Sequence, residues 1–227
     1  MPTLQDFIKW NEDKWEEKNC EMYSQTNNDN IWPWFSKNLD LDVIEYLESN
    51  QITCAKILDL GTCSGAQAIA LAEKGFDVVG SDISQTALNK AIEAAKKLPN
   101  DAKLEFIIDD ILESKITEQF DLIIDRGCFH SICCISTKKY IANIQKLLKP
   151  QGKLLLKTMS LEEKRFEMYD EFAGQRIPMP YRFDNEIINN IFAEKFNIEK
   201  LQDSFFYSTV IDPPAKAKLT LLSIKAP

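Results

Sequence analysis

The feature that most narrows what this chain can fold into is a change of pattern at residue 56. From there on, short apolar runs alternate with segments of helical periodicity, which is how βα units of a parallel sheet read in sequence. Strands are expected at KILDL (56–60), DVVGSD (77–82), LEFIID (104–109), FDLIID (120–125) and GKLLLKT (152–158). Between them AQAIALAEKG, SQTALNKAIEAAKKL and STKKYIANIQKLLKP carry helical spacing, the first closed by Gly75 and the last by Pro150. Two more strands are read at NIEKLQDSFFYS and KLTLLSIKA. The short turn between them, with Pro213 and Pro214, calls for an antiparallel hairpin rather than a crossover. The expected fold class is therefore α/β, a doubly wound and mostly parallel sheet of seven strands that ends in an antiparallel hairpin.

Two segments stand outside that pattern. Residues 1–50 hold all four tryptophans, Trp10, Trp15, Trp32 and Trp34, among many polar residues, and read as an N-terminal helical cap. In it Leu4, Phe7, Ile8, Trp10 and Trp15 recur near helical spacing, and SQTNNDN follows as a loop. The stretch from about 159 to 182 is too long for an ordinary connection and reads as a lid inserted into a domain spanning 51–227.

Charge and cysteine usage exclude several function classes. With 35 acidic and 27 basic residues, a formal charge of -8 and no dense Lys/Arg run, the chain repels a phosphate backbone, so no nucleic-acid partner is expected. No stretch approaches the apolar length of a membrane span, and the opening MPTLQDFIKW is not a secretion signal, so a cytoplasmic protein without membrane contact is expected. Cys20, Cys54, Cys63, Cys128, Cys133 and Cys134 include no Cys-x-x-Cys pair, and His130 is the one histidine. They read as free thiols, with no metal site. Oligomeric state stays open between monomer and dimer.

The most informative residues are Asp59-Leu-Gly61-Thr62-Cys-Ser-Gly65, between the first strand and a helix. Glycine there lets the chain turn sharply and a ligand approach without meeting a Cβ, while the N–H groups of the helix start point at it. Gly65 is followed by Ala66-Gln67, which rules out the Gly-Lys-Ser/Thr of a phosphate loop. Gly-x-Gly-x-x-Gly is also absent, because Cys63 occupies its second glycine position. Asp82 follows Gly61 by 21 residues, at the end of the second strand. An acid there either accepts both hydroxyls of a ribose or caps the helix that opens at Ser84-Gln85; beside the glycine turn, the ribose is favoured.

These motifs resemble the class I S-adenosylmethionine-dependent methyltransferases, with ILDLGTCSG as the first motif and VVGSDIS as the second, over roughly residues 55–158. Within that family the chain is similar to the thiopurine and tellurite-resistance enzymes, which act on small molecules. The resemblance implies a Rossmann-like fold and S-adenosylmethionine as cofactor, with S-adenosylhomocysteine as product. It implies that Asp59, Gly61, Thr62 and Gly65 line the methionine part, that Asp82 holds the ribose and that Ile83 packs on the adenine. Ile108-Asp109-Asp110-Ile111 matches the third motif, with Asp110 and Ile111 at the adenine edge and Asp109 as competitor. FDLIIDRGCFHSI matches the fourth and puts Asp125 beside the transferable methyl. Cys63 in place of the usual glycine implies a slightly altered backbone at the turn.

Function follows as methyl transfer to a small-molecule acceptor. The competing classes are a protein methyltransferase, acting on lysine or an N-terminus, and a non-catalytic binder of the cofactor. The Asn/Asp-Pro-Pro-Tyr/Phe motif of many amino-methylating enzymes is missing. Candidate catalytic residues are Asp125 and His130. His130 has the intrinsic pKa of a general base, and a hydrogen bond within its own loop is the equal alternative. Candidate acceptor-binding residues are Trp34, Arg126, His130 and Arg182, walled by the cap and by Met179-Pro180-Tyr181.

Overall fold

The structure is a computed structural model that describes residues 34–165, 170–172, 175–177 and 180–225. The expected helix over residues 4–15, the loop after it, Trp32 and Met179 lie outside the described residues. The first described helix, α1 (Leu41–Ser49), starts where Asp40 accepts a hydrogen bond from the Asp42 amide. It buries Val43 and Leu47.

Five parallel strands follow: β1 (Lys56–Leu60), β2 (Asp77–Asp82), β3 (Leu104–Ile108), β4 (Phe120–Arg126) and β5 (Leu148–Ser160). The crossovers are α2 (Ala66–Glu73), α3 (Gln85–Ala95), a 3-10 turn at Ile111–Glu113, and α4 (Phe129–Leu147). Beyond β5 come β6 (Asp170–Phe172), β7 (Gln175–Ile177), β8 (Arg182–Phe183), α5 (Asn185–Phe192), β9 (Phe196–Phe206) and β10 (Ala215–Ile224). The main sheet runs β3-β2-β1-β4-β5-β10-β9, with β8 paired to β5. This is a doubly wound, Rossmann-like sheet. Its last two strands are antiparallel to each other, as the proline-bearing turn predicts.

Alternation along each strand sends neighbouring side chains to opposite faces, which builds two cores. Leu58, Ile123 and Leu154 join Phe129, Tyr140, Phe183 and Phe192 on one side. Ile57, Leu122 and Leu155 join Val43, Leu47, Leu71 and Ala72 on the other. Residues 39–49 of the expected cap are thus built into the domain's own core.

Some boundaries differ from the sequence reading by a residue or more, and the larger differences have local reasons. α4 begins at Phe129 instead of Ser136, because the Asp125 carboxylate receives the amides of Gly127, Cys128 and Phe129 and so starts a helix that has no polar cap in its own sequence. Ser136 still acts as a start: it is non-helical at φ -161°, and its hydroxyl accepts from Lys139 N across the kink. Pro150 does not close the helix, which ends at Leu147; the proline lies in the irregular start of β5, where the register with β4 shifts. The expected lid contributes to the sheet as well, since Met159 and Ser160 pair with Arg182 and Phe183.

Candidate active site

Strand order reverses about β1, so the carboxyl ends of β1 and β4 open a crevice, the place where ligands bind in open parallel sheets. The turn leaving β1 holds three left-handed residues, Gly61 (φ 71°), Cys63 (φ 50°) and Gly65 (φ 81°). Glycine is required twice over. A Cβ on Gly61 would meet the Cys128 Cβ at 3.0 Å, and one on Gly65 would meet Ala91 and Phe106 at 2.8 and 2.9 Å. Cys63 takes a left-handed conformation that glycine adopts freely, which for an L-residue costs on the order of 1–2 kcal/mol.

The turn is sewn to β2. Gly61 and Thr62 amides both donate to the Ser81 carbonyl at 2.9 Å. Asp82 accepts from Cys63 N on one oxygen and from Ser84 N on the other, each at 2.9 Å. The cap of α3 is Ser84, whose hydroxyl accepts from Ala87 N. Asp82 therefore does not cap the helix; it joins the two turns that frame the crevice. Beside it Ile83, a large apolar side chain, is 47% exposed. Gly80, overlooked in the sequence, matters by proximity, since a Cβ there would meet Thr62 Oγ1 at 2.9 Å.

Two carboxylates of the motifs turn inward. Asp59 takes the Thr62 hydroxyl at 2.5 Å, and burial pushes its pKa up to about 6 against the pull of Thr62 and of the Ala68 amide. Asp125 has no exposed surface; besides the helix amides it takes the Tyr140 hydroxyl at 2.7 Å. Burial raises Asp125 to about 6 despite those donors. Its geometry is that of a group holding the start of α4. Further along, Asp110 accepts from Leu112 N and starts the 3-10 turn over buried Ile111. Asp109 accepts from Lys115 N, while its second oxygen is buried without a protein partner.

His130 sits on the other side of the α4 start. Its Nδ1 accepts from Met159 N at 3.0 Å, so the ring proton is on Nε2, and its carbonyl accepts from Tyr181 N. Burial, helped by Arg126, lowers its pKa to about 3. Neutral, and with Nε2 already protonated, it has no nitrogen open to act as general base. Its hydrogen bond runs to β5, not within its own loop. Cys128 faces Gly61, and burial, reinforced by Asp125, Asp82, Cys63 and Asp110, pushes its thiol well above the usual range.

Arg126 donates to Asp40 Oδ2 at 2.8 Å, to the Trp34 carbonyl at 2.9 Å and to the Tyr207 carbonyl at 2.8 Å. This brings two of the expected acceptor-binding residues, Trp34 and Arg126, together through the Trp34 main chain. Sequence reading missed the rest of the cluster. Lys157 donates to Asp40 Oδ1 at 2.5 Å, lies 2.6 Å from Asp42 and is 3% exposed. Both cations sit over the Phe206 ring, at 5.2 and 5.7 Å. Burial raises the Asp40 carboxyl, but Lys157 and Arg126 outweigh it and leave it below its ordinary value. No spacing rule links residues 40, 126 and 157; a lone lysine in an apolar run, LLLKT, was the one available signal. Arg182, half-buried, lies in β8 opposite Met159. Among the described residues no cluster of metal-ligating side chains occurs, and no helix is long and apolar enough to cross a membrane.

Comparison with known proteins bears on this geometry. The chain is 31% identical over 127 residues to thiocyanate methyltransferase 1 of Brassica oleracea, covering 56% of each protein. Over a shorter stretch of 80 residues it is 49% identical to the release factor glutamine methyltransferase of Lactococcus lactis, covering 34% of this chain and 28% of that one. The chain thus matches about half, or less, of the length of these relatives. Among solved structures, an S-adenosylmethionine-dependent methyltransferase from Methanosarcina mazei shares the fold with a TM-score of 0.69 at 18% identity, covering 83% of this chain and all of that one. The methyltransferase-domain family model matches residues 54–211, from just before β1 to the loop after β9, and the chain belongs to that family.

Proposed function

We propose that this protein transfers the methyl group of S-adenosylmethionine to a small, soft nucleophile by direct displacement. The observation that carries the reading is the Asp82 carboxylate, tied to Cys63 N and Ser84 N at the mouth of the glycine turn. The residues present fit the cofactor. Gly61, at positive φ and without a Cβ, lets the turn close against Cys128, Asp82 supplies acceptors at the end of β2, and Ile83 offers an exposed apolar face. Gly61, Thr62 and Gly65 would follow the methionine part, with Asp59 bracing the turn from beneath. Asp82 would hold the ribose, Ile83 the adenine face, and Asp110 with Ile111 the adenine edge.

When bound, the cofactor supplies an electrophilic methyl on a sulfonium. The chain's own work is alignment and exclusion of water. Asp125 fixes the front of α4, and with it Cys128, against the turn. His130, doubly tied to β5 and to Tyr181, holds the same segment from the acceptor side. No described group at the site is placed to take a proton, since His130 is a neutral donor, Cys128 a thiol and Asp125 saturated. An acceptor that arrives already anionic, such as thiocyanate or a thiolate, suits that arrangement. The likeness to thiocyanate methyltransferase 1 agrees with it; that to the release factor enzyme favours a protein acceptor as the rival.

The test is calorimetry with S-adenosylmethionine and S-adenosylhomocysteine, then labelled-methyl transfer to thiocyanate, small thiols, amines and whole-protein extract. Binding together with transfer to thiocyanate or thiols is the expected result. Transfer to protein alone would replace the small-molecule reading, and absence of binding by folded protein would remove the cofactor.

A further inference from the structure

The last two residues of β4 face opposite ways, as consecutive strand residues must, and each organises a different wall of the crevice. Asp125 turns to the α4 side and gathers the amides of residues 127–129 with the Tyr140 hydroxyl. Arg126 turns to the α1 side and gathers two separate stretches of chain: Trp34 and Asp40 before α1, and Tyr207 after β9. Its register partner Lys157, on β5, grips the same Asp40 and the Phe205 carbonyl. The gap left among Asp40, Asp42, Arg126 and Lys157 is about 10 Å³, so the cluster is close-packed.

Resting on the methyl-transfer reading above, we propose that Arg126 is a positioning residue for the acceptor. It ties the wall formed by residues 34–40 to residue 207, a wall that Gln67 of α2 also holds through Asp40 N and the Ser36 and Asn38 carbonyls, while Asp125 and Asp82 tie the cofactor turns at 61–65 and 82–84. Three of the five guanidinium N–H groups are taken by protein oxygens, so its role here is to hold the wall. Five planar N–H groups on one delocalised cation suit three carbonyl and carboxylate targets; an ammonium cannot reach all three in that plane.

The full chain is compared with Arg126→Lys and Arg126→Gln. Calorimetry with S-adenosylhomocysteine should give affinities within about twofold of the parent, while the KM for thiocyanate rises about tenfold or more with kcat changed far less. Arg126→Lys should recover part of that KM, as a cation that keeps Asp40 paired. Amide exchange should accelerate over residues 34–42 and 205–212 and stay unchanged at 61–65 and 82–84. Equal loss of cofactor affinity, uniform acceleration of exchange over both walls, or an unchanged KM in Arg126→Gln each overturns the proposal. If the parent binds S-adenosylhomocysteine but leaves thiocyanate unmethylated, the acceptor class fails on its own. The exchange pattern then still decides: acceleration confined to the acceptor wall upholds the role of Arg126, and any other pattern ends it.

Discussion

The amide of Cys63 donates to Asp82 Oδ2 at 2.9 Å, joining the glycine turn after β1 to the end of β2 across 19 residues of sequence. That one bond makes the shape of the turn and the placing of the acid a single structural fact. Asp82→Ala removes it together with the bond from Ser84 N. Calorimetry should show S-adenosylmethionine affinity falling by about 1.5–3 kcal/mol or more, the worth of hydrogen bonds to a charged group. Unchanged affinity would separate Asp82 from the ribose.

Cys63 occupies left-handed space at φ 50°. Cys63→Gly relieves that strain but loosens the unfolded chain, so stability should rise by up to about 1 kcal/mol and not fall. Urea unfolding measures it; a destabilisation above that amount would show that the thiol packs in a way the turn needs.

Lys157 and Asp40 form a buried pair, with side chains 4% and 2% exposed. Lys157→Met leaves Asp40 with Arg126 as its remaining cation and Asp42 without its close cation. A loss of about 3–5 kcal/mol is expected for removing one member of such a pair. Double replacement of Asp40 and Lys157 by apolar residues should cost less than the two single changes added together.

The buried histidine gives a pH signature. His130 has its pKa lowered to about 3 by burial, with a smaller push from Arg126, against 6.5 for the free group. The unfolded chain therefore binds more protons than the folded one between pH 6.5 and 3, and this group's contribution, full above 6.5, is lost as pH falls through that window. The stability gap between the parent and His130→Gln should narrow on acidification from pH 8 to pH 4. A gap that is constant or widens would mean the imidazole is charged in the folded protein.

Among the described residues, His130 is neutral and the Cys128 thiol is pushed upward, so neither supplies a titration between pH 7 and 9. Over that range kcat/KM for a thiol should follow the thiol's own pKa, and for thiocyanate it should stay flat. A bell-shaped profile common to both acceptors would reveal a proton acceptor of the enzyme's own.

What the sequence determined by itself is what lies close along the chain. β1 and β2 begin and end where the apolar runs do, and Gly61 and Asp82 meet at one crevice because each is the next or last residue of a strand whose direction is fixed by the crossovers, with Gly65 closing the turn before α2. Periodicity and turn chemistry are local, and so they are legible. Only the tertiary structure decided which way the polar groups face. Asp125 and His130 have the residue types of catalysis, yet their hydrogen bonds go to amides of α4 and β5, and no pattern along the chain predicts those partners. The Asp40–Arg126–Lys157 cluster joins residues up to 117 positions apart. A charge inside an apolar strand can be seen in the sequence, but the opposite charges that make its burial tolerable exist only after the strands have come together.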